Sequence, residues 1–111
     1  PSVELDRLQI ERVLDNLIGN ALRHTEKGGQ IVLRARRKSE RVIIGVEDNG
    51  EGIPYSQQAR VFEPFVQVGG KKGGAGLGLA LCKEIVQLHG GYMGLLSKPG
   101  QGAHFYLALP I

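Results

Sequence analysis

A chain of 111 residues is the size of one domain with a single hydrophobic core. Its 14 Lys and Arg against 11 Asp and Glu leave a formal charge of +3, mildly basic and short of the cation footprint of a nucleic-acid binder. One cysteine excludes an internal disulfide framework and fits a reducing compartment, no apolar run reaches the ~18 residues of a membrane span, and 17 glycines without collagen periodicity point to loops and close backbone approach.

The chain begins at Pro1, without an initiator Met, and Val3 and Leu5 alternate with polar neighbours like the end of a strand. Both features suggest a piece of a longer protein. Asp6-Arg7-Leu8-Gln9 has the form of a capping box, with Asp6 as N-cap and Gln9 reaching back. Ile10, Val13, Leu14, Leu17, Ile18 and Ala21 then recur at the spacing of one helical face. This predicts a helix to about Thr25, stopped by Lys27-Gly28-Gly29. Asn16 and Asn20 stand one turn apart on it, with Arg23 and His24 continuing the same edge. Asparagine is a mediocre helix former, so a pair bordering an apolar face implies a polar task. Amide oxygens are hard ligands of the kind Mg²⁺ or its bound water takes. Two solvated asparagines are the plain alternative.

Residues 30–37 alternate, which predicts a half-buried strand with Ile31, Leu33 and Ala35 inward and Val32, Arg34 and Arg36 wet. The run Arg34, Arg36, Arg37, Lys38 has no interleaved aromatics and reads as a solvated face, not a nucleic-acid patch. After a turn at Ser39-Glu40, residues 41–48 return as a second strand in which Val42, Ile44, Val46 and Asp48 share the inward face. Asn49-Gly50-Glu51-Gly52 comes next. An ionised carboxylate offers only acceptors, and a partly buried one needs a partner. Glycines one residue apart let the backbone come close to whatever Asp48 holds. A type I′ or II turn after an edge strand is the competing reading of Asn-Gly, but the parity of the strand favours a binding role.

Past Ile53-Pro54, Ser56 is placed to cap a short helix through Arg60, and Phe62-Glu63-Pro64-Phe65 to anchor the loop beyond it. Residues 66–76 carry Gly69, Gly70, Gly73, Gly74 and Gly76 with Lys71 and Lys72 between them, and read as a mobile loop. It leads into a helix over 77–88, apolar on most of its circumference at its start and so expected to be buried there. His89-Gly90-Gly91 stops it. A glycine-rich loop entering a helix N-terminus presents free N–H groups and a positive dipole end to an anion, phosphate foremost. A plain flexible loop accounts for the glycines as well, and Lys71 and Lys72 suit either phosphate or solubility. Residues 92–97 and 103–109 predict a closing hairpin around Lys98-Pro99-Gly100-Gln101-Gly102, with Phe105, Leu107 and Leu109 inward. No Gly-Lys-Ser/Thr ends the glycine run, and Gly74-Ala75-Gly76-Leu77-Gly78 lacks the Rossmann spacing. His24, His89 and His104 are scattered, Cys82 has no paired thiol and reads as core, and no Ser/His/Asp constellation is legible.

Taken together, these residues resemble the ATP-binding catalytic domain of bacterial sensor histidine kinases, in the Bergerat-type superfamily shared with gyrase, the ninety-kilodalton heat-shock chaperone and MutL. Asn16-Leu17-Ile18-Gly19-Asn20-Ala21-Leu22-Arg23-His24-Thr25 looks like the asparagine box. Asp48-Asn49-Gly50-Glu51-Gly52-Ile53 looks like the first glycine box and Phe62-Glu63-Pro64-Phe65 like the phenylalanine box. Gly74-Ala75-Gly76-Leu77-Gly78-Leu79 looks like the second glycine box, and Gly100-Gln101-Gly102-Ala103-His104-Phe105 closes the domain. Each box is weak alone; five in order are specific.

The resemblance implies an α+β fold, a two-layer α/β sandwich with helices on one face of a mixed, mostly antiparallel sheet. Residues 1–111 would form one ATP-binding domain lacking the family's opening strands and the upstream phosphoacceptor helices. Asp48 would accept a hydrogen bond from the adenine amino group; guanine carries a carbonyl there, which an acceptor-only carboxylate repels. Asn20 would hold Mg²⁺, Asn16 would lie near the phosphates, Arg23 would offset their charge, and His24 sits where the family often has an aromatic ring against the nucleotide. Gly50, Gly52 and Ile53 of the first glycine box would join the ATP-binding residues. The loop with Lys71, Lys72, Gly74 and Gly76 would close over the phosphates, with Gly76, Leu77 and Gly78 N–H groups at the helix start.

Departures matter. Asn16 stands where the hydrolysing relatives carry a water-activating Glu, which favours phosphoryl transfer to a protein histidine over hydrolysis. Gln67 stands near a common Arg, so Lys71 or Lys72 would have to supply that charge. Ala103 replaces a common Thr that supports the Asp–adenine contact through water. None of the three histidines lies in a phosphoacceptor setting, so this piece should bind ATP without phosphorylating itself. The implied partners are ATP, the missing dimerisation helices and indirectly a response regulator, with no nucleic acid; the piece alone would be a monomer. The implied place is the cytoplasm, with the parent anchored in the bacterial inner membrane. An ATP-hydrolysing or nucleotide-sensing module and a degenerate interaction domain are the competing readings.

Overall fold

The computed structural model describes residues 6–63 and 78–110. Helix α1 spans Arg7–His24. Asp6 caps it, its Oδ1 accepting the Gln9 N–H at 3.2 Å. The return bond expected from Gln9 is replaced by a tertiary one: the Asp6 N–H donates to Nε2 of His89 at 3.1 Å. The other ring nitrogen of His89 meets the Ile85 carbonyl at 2.8 Å. The imidazole therefore ties the start of α1 to the end of the last helix.

Strands β1 (Ile31–Lys38) and β2 (Arg41–Asp48) make a hairpin that turns at Ser39, whose φ of 56° is positive. Helix α2 (Tyr55–Gln58), helix α3 (Gly78–Leu88) and strands β3 (Tyr92–Ser97) and β4 (Ala103–Pro110) complete the chain order. The four strands lie in the order β1-β2-β4-β3, and every neighbouring pair is antiparallel. Helix α1 packs on β2 and on α3, and α3 packs on β3 and β4, which gives two layers. Between them Val46, Phe105, Leu107 and Leu109 of the sheet meet Ile10, Val13 and Leu17 of α1 and Cys82, Ile85 and Val86 of α3. Burying each of the larger side chains contributes roughly 1.5–3 kcal/mol.

Because β2 pairs on both sides, Asp48 ends an interior strand, and the reading of its Asn-Gly as a hairpin turn after an edge strand fails. Other expectations are corrected too. Strand β1 has the predicted parity, Leu33 standing opposite buried Val46, yet Leu33 is 59% exposed and Ala35 is exposed. Of β1's inward residues only Ile31, at the strand's start, is half-buried against the core. Helix α2 is capped by Pro54 with no side-chain bond, not by Ser56, and ends at Gln58. The start of α3 is not buried: Gly78 is exposed, Leu79 and Ala80 are half-buried, and only Cys82, Ile85 and Val86 are fully covered. A two-layer packing covers one stripe of that helix and leaves Leu81 and Leu88 outside. No helix among the described residues is long and apolar enough to cross a membrane.

Candidate functional site

Two elements bring the sequence's polar outliers to the junction of the layers. On α1, Asn20 is buried at 5% exposure although it is polar, and Asn16 is half-buried one turn before it. The Asn16 carboxamide lies at the start of α3, 3.9 Å from where a Gly78 side chain would begin. It also lies beside the Cys82 thiol. Cys82 is fully buried, Sγ 3.7 Å from the Val13 carbonyl, and burial pushes its thiol up to about 11, with the Asn16 side chain acting in the opposite direction. It is therefore a protonated core group at neutral pH.

At the end of β2, Asp48 is half-buried on the helix-facing side. Its Oδ1 accepts the Gly50 N–H at 2.9 Å, and Oδ2 has no hydrogen-bond partner among the described residues. One acceptor of the carboxylate is thus spent on orienting it, and one remains for a donor. The glycines of the turn do serve close approach, but of the protein's own backbone. A side chain at Gly50 would strike the His24 carbonyl, and one at Gly52, where φ is +73°, would strike the Lys98 carbonyl. The turn is wedged between the end of α1 and the end of β3.

His24 is buried, its Nδ1 3.2 Å from Oε1 of Glu51. Arg23, His24 and Gly50 share a cleft of ≈ 520 Å³ with Lys27, Asn49 and Glu51. Asp48 borders a second of ≈ 480 Å³ with Ser97, Lys98, Gln101 and Ala103. Ile53 belongs to the core at 1% exposure. Lys71, Lys72, Gly74, Gly76 and Leu77 lie outside the described residues, as do Phe65 and Gln67.

The sequence reading missed Gln58 and Ser97. The Gln58 amide donates to the carbonyls of Ile53 at 2.9 Å and Ser97 at 3.1 Å. The Ser97 hydroxyl accepts the Ile53 N–H at 2.9 Å and donates to the Gly102 carbonyl at 2.7 Å. No local pattern marks either residue: two of the four bonds, Ile53–Ser97 and Gln58–Ser97, join positions far apart in the chain, and the other two belong to no helix or strand ladder. On the opposite face of the sheet, a hydrogen bond from Arg34 at 2.9 Å and the charge of Arg34 and His104 hold Glu47 below the usual carboxylate range.

The described residues thus place an oriented carboxylate at the end of an interior strand and two amides, one buried and one half-buried, on the helix packed over it. Comparison with known proteins makes the class definite. The model of the family described as histidine kinase-, DNA gyrase B-, and HSP90-like ATPase matches residues 5–111, and the chain belongs to that family. It is 71% identical over 111 residues to the alginate biosynthesis sensor protein KinB of Pseudomonas aeruginosa, covering 100% of this chain and 19% of that protein. It is 47% identical over 105 residues to the sensor protein DivL of Caulobacter vibrioides, covering 95% of this chain and 13% of that protein. The chain thus spans about a fifth or less of the length of these curated relatives. The solved mycobacterial sensor histidine kinase MprB superposes with a TM-score of 0.88 at 28% identity, over 97% of this chain and 76% of that one. Full-length ShkA in complex with AMPPNP gives 0.88 at 37% identity, over 99% of this chain and 23% of that one. The chain has the ATP-binding catalytic domain of two-component kinases.

Proposed function

We propose that this domain presents ATP, with Mg²⁺, for transfer of the γ-phosphoryl group to a histidine on a helical domain elsewhere in the same protein. The observation that carries the reading is the oriented, half-open Asp48 carboxylate, whose free oxygen suits the amino group of adenine and repels the carbonyl of guanine. Asn16, Asn20 and Arg23 line up along α1 for the phosphate end, and His24 stands by the nucleotide, held by Glu51. Lys71, Lys72, Gly74, Gly76, Leu77 and Gly78 complete the phosphate side by their place in the motif.

The donor set fits Mg²⁺, which keeps several waters and takes few protein ligands beside phosphate oxygens. The inward Asn20 amide, with Asn16 one turn away, would hold it, and no cluster of three His, Cys, Asp or Glu suited to a metal exists among the described residues. When bound, the ion would neutralise charge on the phosphates. The chain's own residues orient and shield: Asp48 fixes the base, and Arg23 offsets negative charge. An amide at position 16 has no basic site to take a proton from water, which favours transfer over hydrolysis. In the transfer, an acceptor imidazole nitrogen bonds to Pγ as the bond to the bridging oxygen breaks, and ADP leaves.

The partners follow from that reaction: the dimerisation and phosphoacceptor helices, and through them a response regulator. The domain by itself is monomeric and works in the cytoplasm, in a parent anchored in the inner membrane. The test mixes the protein and its helical domain with γ-labelled ATP. Label on the helical domain, lost in Asn20→Ala, supports the reading; steady release of free phosphate with no labelled histidine replaces it with the ATPase alternative.

A further inference from the structure

We propose that Gln58 and Ser97 are positioning residues for base selection, holding the turn after Asp48 in the one arrangement that lets its carboxylate read the base. The proposal rests on Asp48 being the base acceptor. The turn is built of glycines and has little stiffness of its own, so its shape must be imposed from outside. Four hydrogen bonds impose it. An amide –NH₂ has two donors, and Gln58 gives one to the Ile53 carbonyl (2.9 Å) and one to the Ser97 carbonyl (3.1 Å), joining the turn to the end of β3. The Ser97 hydroxyl takes the Ile53 N–H (2.9 Å) and gives its proton to the Gly102 carbonyl (2.7 Å), joining the turn to the start of β4. Both backbone groups of Ile53 are thus held by side chains, and the Gly100 N–H holds the Glu51 carbonyl at 2.6 Å just before it.

The elements these bonds connect are the reason to assign them more than stability. Ser97 pairs with Ala103, and Ala103 with Asp48, so the three form one row across the sheet on its helix-facing side. Gly102 backs directly onto the Asp48 carbonyl, leaving no room for a side chain. The Ser97–Gly102 bond therefore sets the backbone on one side of Asp48, and the Gln58–Ile53 bond sets it on the other. Base recognition by a single carboxylate oxygen tolerates displacements of only about 0.5 Å. Ala103, the middle member of the row, supplies no hydroxyl of its own to share the task.

The test measures ATP and GTP affinity and thermal melting of the protein, its Gln58→Met and Ser97→Ala variants, and Ser97→Thr. Methionine keeps the length of glutamine without its donors, and threonine keeps the hydroxyl. The expected result is a roughly 5- to 20-fold loss of ATP affinity in Gln58→Met and Ser97→Ala, the scale of one or two hydrogen bonds. GTP affinity stays within about twofold, so the ATP-to-GTP ratio falls with ATP affinity, and Ser97→Thr restores it. A ratio unchanged in the two variants, whatever happens to melting, overturns the proposal and leaves these bonds purely structural. A wild-type protein that binds ATP no better than GTP instead refutes the role of Asp48 itself, before any variant is compared.

Discussion

The main-chain carbonyl of Asp48 occupies the space in which a side chain at Gly102 would begin. Gly102 also has a φ of +88°, a region L side chains rarely adopt. The strand that ends in the candidate base-reading carboxylate is therefore seated against a bare backbone, and Gly102→Ala meets two penalties at once. The conformation alone costs roughly 1–3 kcal/mol, and displacement of the Asp48 carbonyl adds to it. Gly100 supplies the comparison: its φ is +80°, but nothing lies within 4 Å of a side chain there. Urea unfolding should show Gly102→Ala clearly more destabilised than Gly100→Ala. Equal losses would mean that the Asp48 contact carries no weight.

Asp48→Asn tests the site more directly. An asparagine keeps the shape and can keep the Gly50 contact through its carbonyl oxygen, but it places an N–H₂ where the open acceptor was. ATP binding should weaken by about 1–3 kcal/mol, the usual range for losing a charged hydrogen-bond partner, with little change in melting temperature. Calorimetric titration with ATP decides it. Unchanged affinity would falsify the adenine role.

The sequence made the inner strand and the capped helix legible because both rest on local patterns. Asp6 caps α1 as the motif predicts, and the parity of β2 puts Val46 and Asp48 on one face, as found. The same parity misled for β1, since the alternation of Leu33 and Ala35 states which way they point and not whether anything covers them. Gln9 and Gln58 escaped the local reading for a related reason. The return bond expected of Gln9 gives way to one that the Asp6 N–H donates to His89, and the bond that Gln58 donates to Ser97 belongs to no motif, so no window of neighbouring residues contains both ends. The site glycines were found, but their close approach is to the carbonyls of His24 and Lys98, which the sequence could not name.

Cys82 should leave a mark on alkaline stability. Its thiol is raised from 9.0 to about 11 in the fold by burial, so between those values the folded chain keeps a proton that the unfolded chain releases. With fewer protons bound in the unfolded state, stability falls as pH rises through that window, and the contribution is fully present below pH 9. The change corresponds to roughly 2–3 kcal/mol by pH 11. Cys82→Ala should remove this component, so that the gap in unfolding free energy between variant and wild type narrows from pH 8.5 to 11. A constant gap would show that the thiol ionises as freely in the fold as outside it. At pH 7 the same burial should keep Cys82 inert to thiol reagents until the chain unfolds.

Ala103 is the place where the site admits improvement. It stands directly opposite Asp48 in the β2–β4 ladder, with its side chain on the same face, at 6% exposure. Threonine suits a strand, and its side chain would stand on the same face as the Asp48 carboxylate directly opposite it. Two effects oppose each other. A hydroxyl that donates to Asp48, or holds a water between it and the base, should strengthen binding by about 0.5–1.5 kcal/mol. The added atoms must find room in a packed row, and overpacking typically costs about 1–3 kcal/mol of stability. Because Asp48 is only half-buried at the end of its strand, the polar gain should dominate. Ala103→Thr is therefore expected to bind ATP roughly 2- to 10-fold more tightly at nearly unchanged melting temperature. Looser binding with a lowered melting temperature would mean the row is too tight for a hydroxyl, and that Asp48 reads the base unaided because the packing leaves it no alternative.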